Sequence, residues 1–423
     1  MLTPAAAERY TALLREELVP ALGCTEPIAV AFTAAKAREV LGRMPERLVV
    51  QCSGNIIKNV KGVIVPTTGD MKGIDTSAVL GALVGGSERK LEVLTAATPA
   101  DIERTKQLLA QGMCKVELIG GVDNLYIIVH AYAGEDEAVV EVQNSHTHIT
   151  RITKNGETLY STGETASHGG GEGALAMSLA DVFEYARTVD LSLLKDVLDK
   201  QIECNTRIAE EGLSGAYGCG VGACLVKVLG SDVRTMARAL PAAGSDARMG
   251  GCVLPVVINS GSGNQGMTAS LPVIVYAKAL GVSREQLYRA LVLSNLTAIY
   301  IKSGIGKLSA FCGVVGAGCA AGAAVVWLRG GDFAAICRTI VNTLADTAGI
   351  VCDGAKPSCA AKIASAVDAA LLAGDLALEG RAFGCGEGLV AEDADATVRN
   401  IMRLGRDGMR ETDLEILHMM IGE

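Results

Sequence analysis

Large aromatic side chains are nearly missing from this chain, with one Trp and five Phe in 423 residues. A core of stacked rings is therefore excluded, and the 49% of residues that are hydrophobic must pack mainly as Ala, Val, Leu, Ile and Gly. Dense Lys/Arg runs are also absent, and the formal net charge is −9. That balance argues against a phosphate-tracking surface and against nucleic acid as a partner. No basic segment followed by an apolar one opens the chain, which begins MLTPAAAERYTALLREEL with Glu and Arg inside a helical pattern, so no secretory signal is expected. Internal repeats, heptads and a low-complexity tail are lacking. A P-loop is lacking too, and GSGNQG at 261–266 follows no predicted strand, which leaves a nucleotide unsupported.

Cysteine, by contrast, is abundant. The thirteen residues are odd in number, scattered and without regular pairing. They do not resemble the disulfide framework of a small secreted domain, and a reducing, cytoplasmic setting is expected. One uncharged run, Ser309 to Leu328, is 20 residues long and carries a Gly318/Gly322 spacing. Its length allows a membrane span, but its Ala/Gly composition and the lack of a second such run favour a buried, closely packed helix.

Length suits two or three domains. Apolar spacing at Tyr10, Leu13, Leu14, Leu18 and Leu22 predicts one helix, and Ile28 to Leu41 a second, with Thr25 as its cap and Pro27 in the early turn. From about Leu48 the segments RLVVQCSG, KGVIVPTTG, KVELIG, LYIIVHAYAG, EAVVEVQNSH and ITRITKNG read as β-like, interrupted by helices at Thr76 to Gly85 and Pro99 to Gly112. The passage STGETASHGGGEG at 161–173 reads as a loop or boundary, and 174–380 as mostly helical, with a final helix over Ala396 to Met420. The expected fold class is α+β. N-terminal helices over 1–45 contribute Cys24, an α/β domain covers 46–173, and a mostly helical domain covers 174–423.

Chemistry concentrates at a few points. In VCDGAKPSCA, Cys352 and Cys359 share a Gly/Pro loop with six residues between them, and Cys312 opens the Ala/Gly helix forty residues earlier. Thiolates select zinc, copper(I) or an iron–sulfur cluster, and three ligands would leave one position open. Packed structural cysteines explain the same residues, since C-x6-C is not a standard spacing. Cys24, in GCTEP before a helix start, has the setting of a lowered thiol pKa, unless Glu26 faces it. CSGNIIKN at 52–59 and NSGSGNQG at 259–266 read equally as structural turns or as anion cradles, with Ser53, Asn55, Ser260, Ser262 and Asn264 as contacts and Lys58, Lys61 or Lys302 as added charge. His146 and His148 in NSHTH read as a strand-end pair with side chains on one face, serving a polar site, a turn or, less in keeping with their lone pairing, zinc. His168 stays uncommitted among glycines.

Taken in order, ALGCTEP, CSGNIIKNVKGVIVP, SGSGNQG, the Cys312 helix and CDGAKPSCA resemble the L-cysteine desulfidases, relatives of the iron–sulfur L-serine dehydratases, across nearly the whole chain. The resemblance implies a [4Fe–4S] cluster on Cys312, Cys352 and Cys359 in the helical domain, no pyridoxal phosphate, and Cys24 as the base for the substrate's α-proton. Ser53, Asn55, Lys58, His146, Ser260, Ser262 and Asn264 become the candidate contacts of a small amino acid. The implied reaction is β-elimination of L-cysteine to pyruvate, ammonia and sulfide. An L-serine dehydratase or a non-catalytic amino-acid-binding protein are the alternatives. The related serine enzymes bring a cysteine near the C-terminus toward the cluster, whereas the last cysteine here is Cys385. A homodimer is left open; no membrane or nucleic-acid partner is expected.

Overall fold

The computed structural model describes residues 2–162 and 177–422. Most of the loop expected at 161–173, the boundary expected at 173/174 and His168 lie outside the described residues.

The first half winds helices onto one mixed sheet. Helix α1 (Pro4–Glu17) leads to a short strand β1 (Pro20–Leu22), then α2 (Thr25–Leu41), β2 (Arg47–Ser53), α3 (Gly54–Val60), α4 (Ile74–Val84) and α5 (Pro99–Ala110). Strands β3 (Cys114–Ile119), β4 (Tyr126–Ala133), β5 (Asp136–Gln143), β6 (Ile149–Lys154) and β7 (Glu157–Ser161) follow. The sheet order is β3-β2-β4-β5-β6-β7, parallel only between β2 and β3. Alternation along β4 and β5 sends Ile127, Val129, Ala131, Ala138, Val140 and Val142 inward against α2. Helix α2 carries no charge between Ile28 and Ala35, and over that stretch it is buried on every face.

Helices α6 (Leu179–Thr188), α7 (Lys195–Gly212), α8 (Val221–Leu229) and α9 (Val233–Met249) precede a last short strand, β8 (Pro255–Val257). Then come α10 (Gly263–Leu280), α11 (Arg284–Ser303), α12 (Gly313–Leu328), α13 (Phe333–Thr347), α14 (Cys359–Leu378), α15 (Ala394–Arg403) and α16 (Arg410–Ile421). The architecture is α+β, as expected. The uncharged run forms α12, packed against α10, α11, α13 and α14, and among the described residues no helix is long and apolar enough to cross a membrane. Its glycine spacing is a packing seam. A Cβ at Gly322 would lie 2.8 Å from Ala370 Cβ, and one at Gly318 would lie 3.1 Å from the Ala366 carbonyl, both on α14.

Three local expectations are corrected. KGVIVPTTG forms no strand, because Gly54 to Val60 coil into α3 and only an isolated bridge, Ile64 to Lys72, remains. Thr25 does not cap α2; Cys24 occupies that position, and the Thr25 hydroxyl donates instead to Gly261 O at 2.9 Å. The C-terminal helix is broken into α15 and α16 by a wide turn over Leu404–Gly408, where Gly405 passes Ile305 and Phe311.

Candidate active site

Two remote pairings build the site. Strand β1 runs antiparallel to β8 with Leu22 opposite Pro255, so Gly23 and Cys24 emerge beside the end of α9. There the buried guanidinium of Arg248 donates from Nε to Gly23 O at 2.8 Å. On the other side, a bridge between Phe311 and Val351, with Cys352 N donating to Ala310 O at 2.6 Å and Cys312 N to Ile350 O at 3.2 Å, fixes the backbones carrying two cysteines side by side. The third follows where α14 begins at Cys359.

These pieces line a cavity with about 650 Å³ of space free of atoms, open solvent at its mouth included. Of the residues singled out in the sequence, Cys24, His146, Ser260, Ser262, Asn264, Cys312, Cys352 and Cys359 line it. Ser53, Asn55 and Lys58 do not: Ser53 donates to Asn124 O at 2.7 Å, and Asn55 and Lys58 both hold Asp413 on α16. Lys58 also donates to Cys352 O at 3.3 Å, so its role lies behind the cysteine loop. That loop has no room to slip: a Cβ at Gly354, whose φ is +93°, would lie 2.3 Å from Lys58 O. With the Lys58 side chain 1% exposed and Asp413 13%, Lys58→Ala is expected to cost ~3 kcal/mol, because it strands a partly buried carboxylate. Chemical denaturation reads this, and an unmoved midpoint would refute the brace.

His146 and His148 part company because they lie in the turn between β5 and β6, where Asn144 takes a positive φ of 64°, and not on a strand. His146 is buried against the cavity, while His148 Nδ1 stands 3.1 Å from Gln143 O. The loop after β8 is held by buried amides: Asn259 donates to Asn295 Oδ1 at 3.0 Å, Gln201 to the same atom at 3.0 Å, and Ser260 to Asn259 Oδ1 at 2.9 Å. Ser260 takes φ 50°, a left-handed conformation that costs free energy and that this network sustains.

The expected lowering of the Cys24 thiol is overturned. Its Sγ donates to Glu26 Oε2 at 3.0 Å. Burial and the facing Glu26 charge push it well above the usual thiol range, against only a partial offset from Arg248. Burial also acts to raise the Glu26 carboxyl, but His146 at 3.7 Å, the Cys24 thiol and Arg248 outweigh it and hold the carboxyl down at about 2. The residues that sequence reasoning passed over are Arg248, Asn59, Gln265 and Lys307. Arg248 had a signal: it is the only charge but Asp246 in the apolar stretch ALPAAGSDARM, all of it buried or nearly so.

The cysteine wall has its own electrostatics. Burial and then Cys352 push the Cys312 thiol up to about 12, and burial raises Cys359 in the same way. Lys302 is fully buried beside them; desolvation lowers it, while Cys352 and Cys312 act the other way. Among the described residues, no three His, Cys, Asp or Glu side chains close round a single metal ion. The donor set of three thiols on one wall fits an iron–sulfur cluster, whose cysteines bind different irons and need not meet at one point. Cys385 is exposed and apart from this wall.

The model of the serine dehydratase alpha chain family matches residues 88–418. The chain belongs to this family. As a serine dehydratase alpha chain family member it aligns almost end to end with proteins described as UPF0597. That of Lachnoclostridium phytofermentans is 51% identical over 409 residues, covering 97% of this chain and 98% of the relative. That of Desulfitobacterium hafniense is 48% identical over 420 residues, 98% and 97% respectively, and that of Treponema denticola 43% over 423 residues, 98% of each. The family match takes in the cysteine wall, Arg248 and the Ser260 loop; Cys24 and Glu26 lie before it.

Proposed function

We propose that this family member is a [4Fe–4S], pyridoxal-phosphate-independent lyase that converts L-cysteine and water to pyruvate, ammonia and hydrogen sulfide. The observation that carries the reading is the convergence of Cys312, Cys352 and Cys359 with Cys24 and the Ser260 loop on one cavity. A cluster held by the three cysteines supplies a Lewis-acid iron for the leaving group.

The remaining chemistry belongs to the chain. Glu26, the carboxylate lining the cavity, is the counter-charge for the substrate's ammonium. Pairing with it offsets the negative charge that opposes ionisation of Cys24, so substrate binding itself favours the thiolate. That thiolate removes the proton from Cα, the bond from Cβ to the leaving group breaks, and aminoacrylate results. Tautomerisation and hydrolysis then release pyruvate and ammonia. The Ser260 loop offers Ser260, Ser262 and Asn264 to the substrate's polar atoms, and Asn264 Oδ1 is buried without a hydrogen-bond partner.

L-Serine is the second reading, favoured by the name of the matching family. Thiol leaving groups suit an iron site by softness and hydroxyl ones by hardness, so assay decides. Protein purified without oxygen is expected to be brown and to release sulfide and pyruvate in equal amounts from L-cysteine. Pyruvate from L-serine without sulfide from L-cysteine would transfer the assignment to serine, and a colourless protein that binds amino acids without turnover would end the lyase reading.

A further inference from the structure

Arg248 is a cation that the chain buries with one guanidinium nitrogen unsatisfied among the described residues. The residue is 1% exposed, its Nε donates to Gly23 O at 2.8 Å, and its Nη2 has no hydrogen-bond partner although the side chain lines the cavity. Among the described residues no carboxylate forms a salt bridge with it. A buried guanidinium with an idle N–H is destabilising unless something arrives to accept from it.

A second, separate feature faces the same spot. Gly263 opens α10, and a Cβ there would lie 2.5 Å from Arg248 Nε and 3.0 Å from its Cζ, so the guanidinium rests directly on the helix's first turn. Ser262, the N-cap of this 18-residue helix, makes no side-chain capping bond, so its hydroxyl takes none of the first-turn N–H groups. A guanidinium beside a helix N-terminus, with no salt-bridged carboxylate on it among the described residues, is a carboxylate site.

Direction selects which carboxylate. The Gly23 carbonyl that fixes Arg248 precedes Cys24, while the cysteine wall and Lys302 occupy the other part of the cavity. Glu26 is engaged by Cys24 and Thr25 and has the wrong sign for an anion. We propose that Arg248, seated on the N-terminus of α10, anchors the α-carboxylate of the substrate, leaving Cα beside Cys24 and the β-substituent free to reach the cysteine wall. Naming the ligand an α-amino acid rests on the lyase reading; the anion site itself does not.

The test compares acid with amide. Wild type is expected to favour L-cysteine over L-cysteinamide by roughly 30- to 150-fold in kcat/KM for sulfide release, and to be stabilised thermally by L-serine but not by L-serinamide. Arg248→Gln is expected to lose the acid's advantage in both measurements while the amide changes little, with Arg248→Lys recovering part of it. A structural role would lower acid and amide together. Equal binding of L-serine and L-serinamide by wild type would overturn the anchor even if the variants failed to fold, as would an unchanged preference in Arg248→Gln. Acid preference in binding without any turnover would keep the anchor and discard the lyase.

Discussion

Cys24→Ala is expected to lower kcat for sulfide release by about 10³-fold, the scale of a lost general base, while iron and sulfide content stay at wild-type levels. The two readouts separate because Cys24 stands apart from the cysteine wall: Glu26 and Arg248 set its electrostatics, whereas Cys352 acts on both Cys312 and Cys359. Loss of iron together with activity would show that Cys24 is a ligand and not a base. The pH profile supplies a sharper check. Only the deprotonated thiol accepts a proton, and its pKa lies above the usual range, so kcat/KM is expected to go on rising with pH past the range in which an ordinary thiol titrates. Glu26→Gln removes the facing charge and leaves only a weaker, neutral acceptor for the thiol, so the limb moves to lower pH while KM rises. A limb that stays in place would free the thiol from Glu26's control.

Cys24 also marks where sequence reading reached its limit. Its position at a helix start was legible from GCTEP, and that alone argues for a depressed pKa. The opposite outcome follows from a side-chain choice, Glu26 turned toward Sγ at 3.0 Å and buried with it, which no spacing encodes. Arg248 escaped for a related reason: its meaning comes from β1 meeting β8, a pairing of three-residue strands more than two hundred residues apart. What local pattern does encode came through. The α4 and α5 helices, the alternation of β4 and β5, and the Ala/Gly seam of α12 each follow from periodicity or residue size within one segment. CSGNIIKN misled over Ser53, Asn55 and Lys58, though its Asn59 does line the cavity, because a Ser/Gly/Asn turn before a helix reads alike whether a given side chain faces a cavity or the back of a loop.

Cys312→Ser or Cys352→Ser is expected to abolish sulfide release to background and to strip the brown colour, with the unfolding midpoint of the metal-free protein changed by less than ~1 kcal/mol. Neither thiol is needed to hold its own backbone: the bridge between Phe311 and Val351, the Cys352 N–Ala310 O bond and the Lys58 contact to Cys352 O fix the loop through main-chain atoms. Serine keeps the volume and these bonds but offers a hard, weakly acidic oxygen in place of a thiolate. The electrostatics point the same way. Burial, and next to it the company of Cys352, raises the thiols of Cys312 and Cys359, an arrangement that costs nothing while all are protonated and stabilises nothing either. A bound cation reverses the sign of that argument, since metal binding releases the protons and turns crowded thiolates into ligands. Iron uptake by the wild type is accordingly expected to strengthen with pH, and uptake by either serine variant equal to wild type would show that these sulfurs are packing residues.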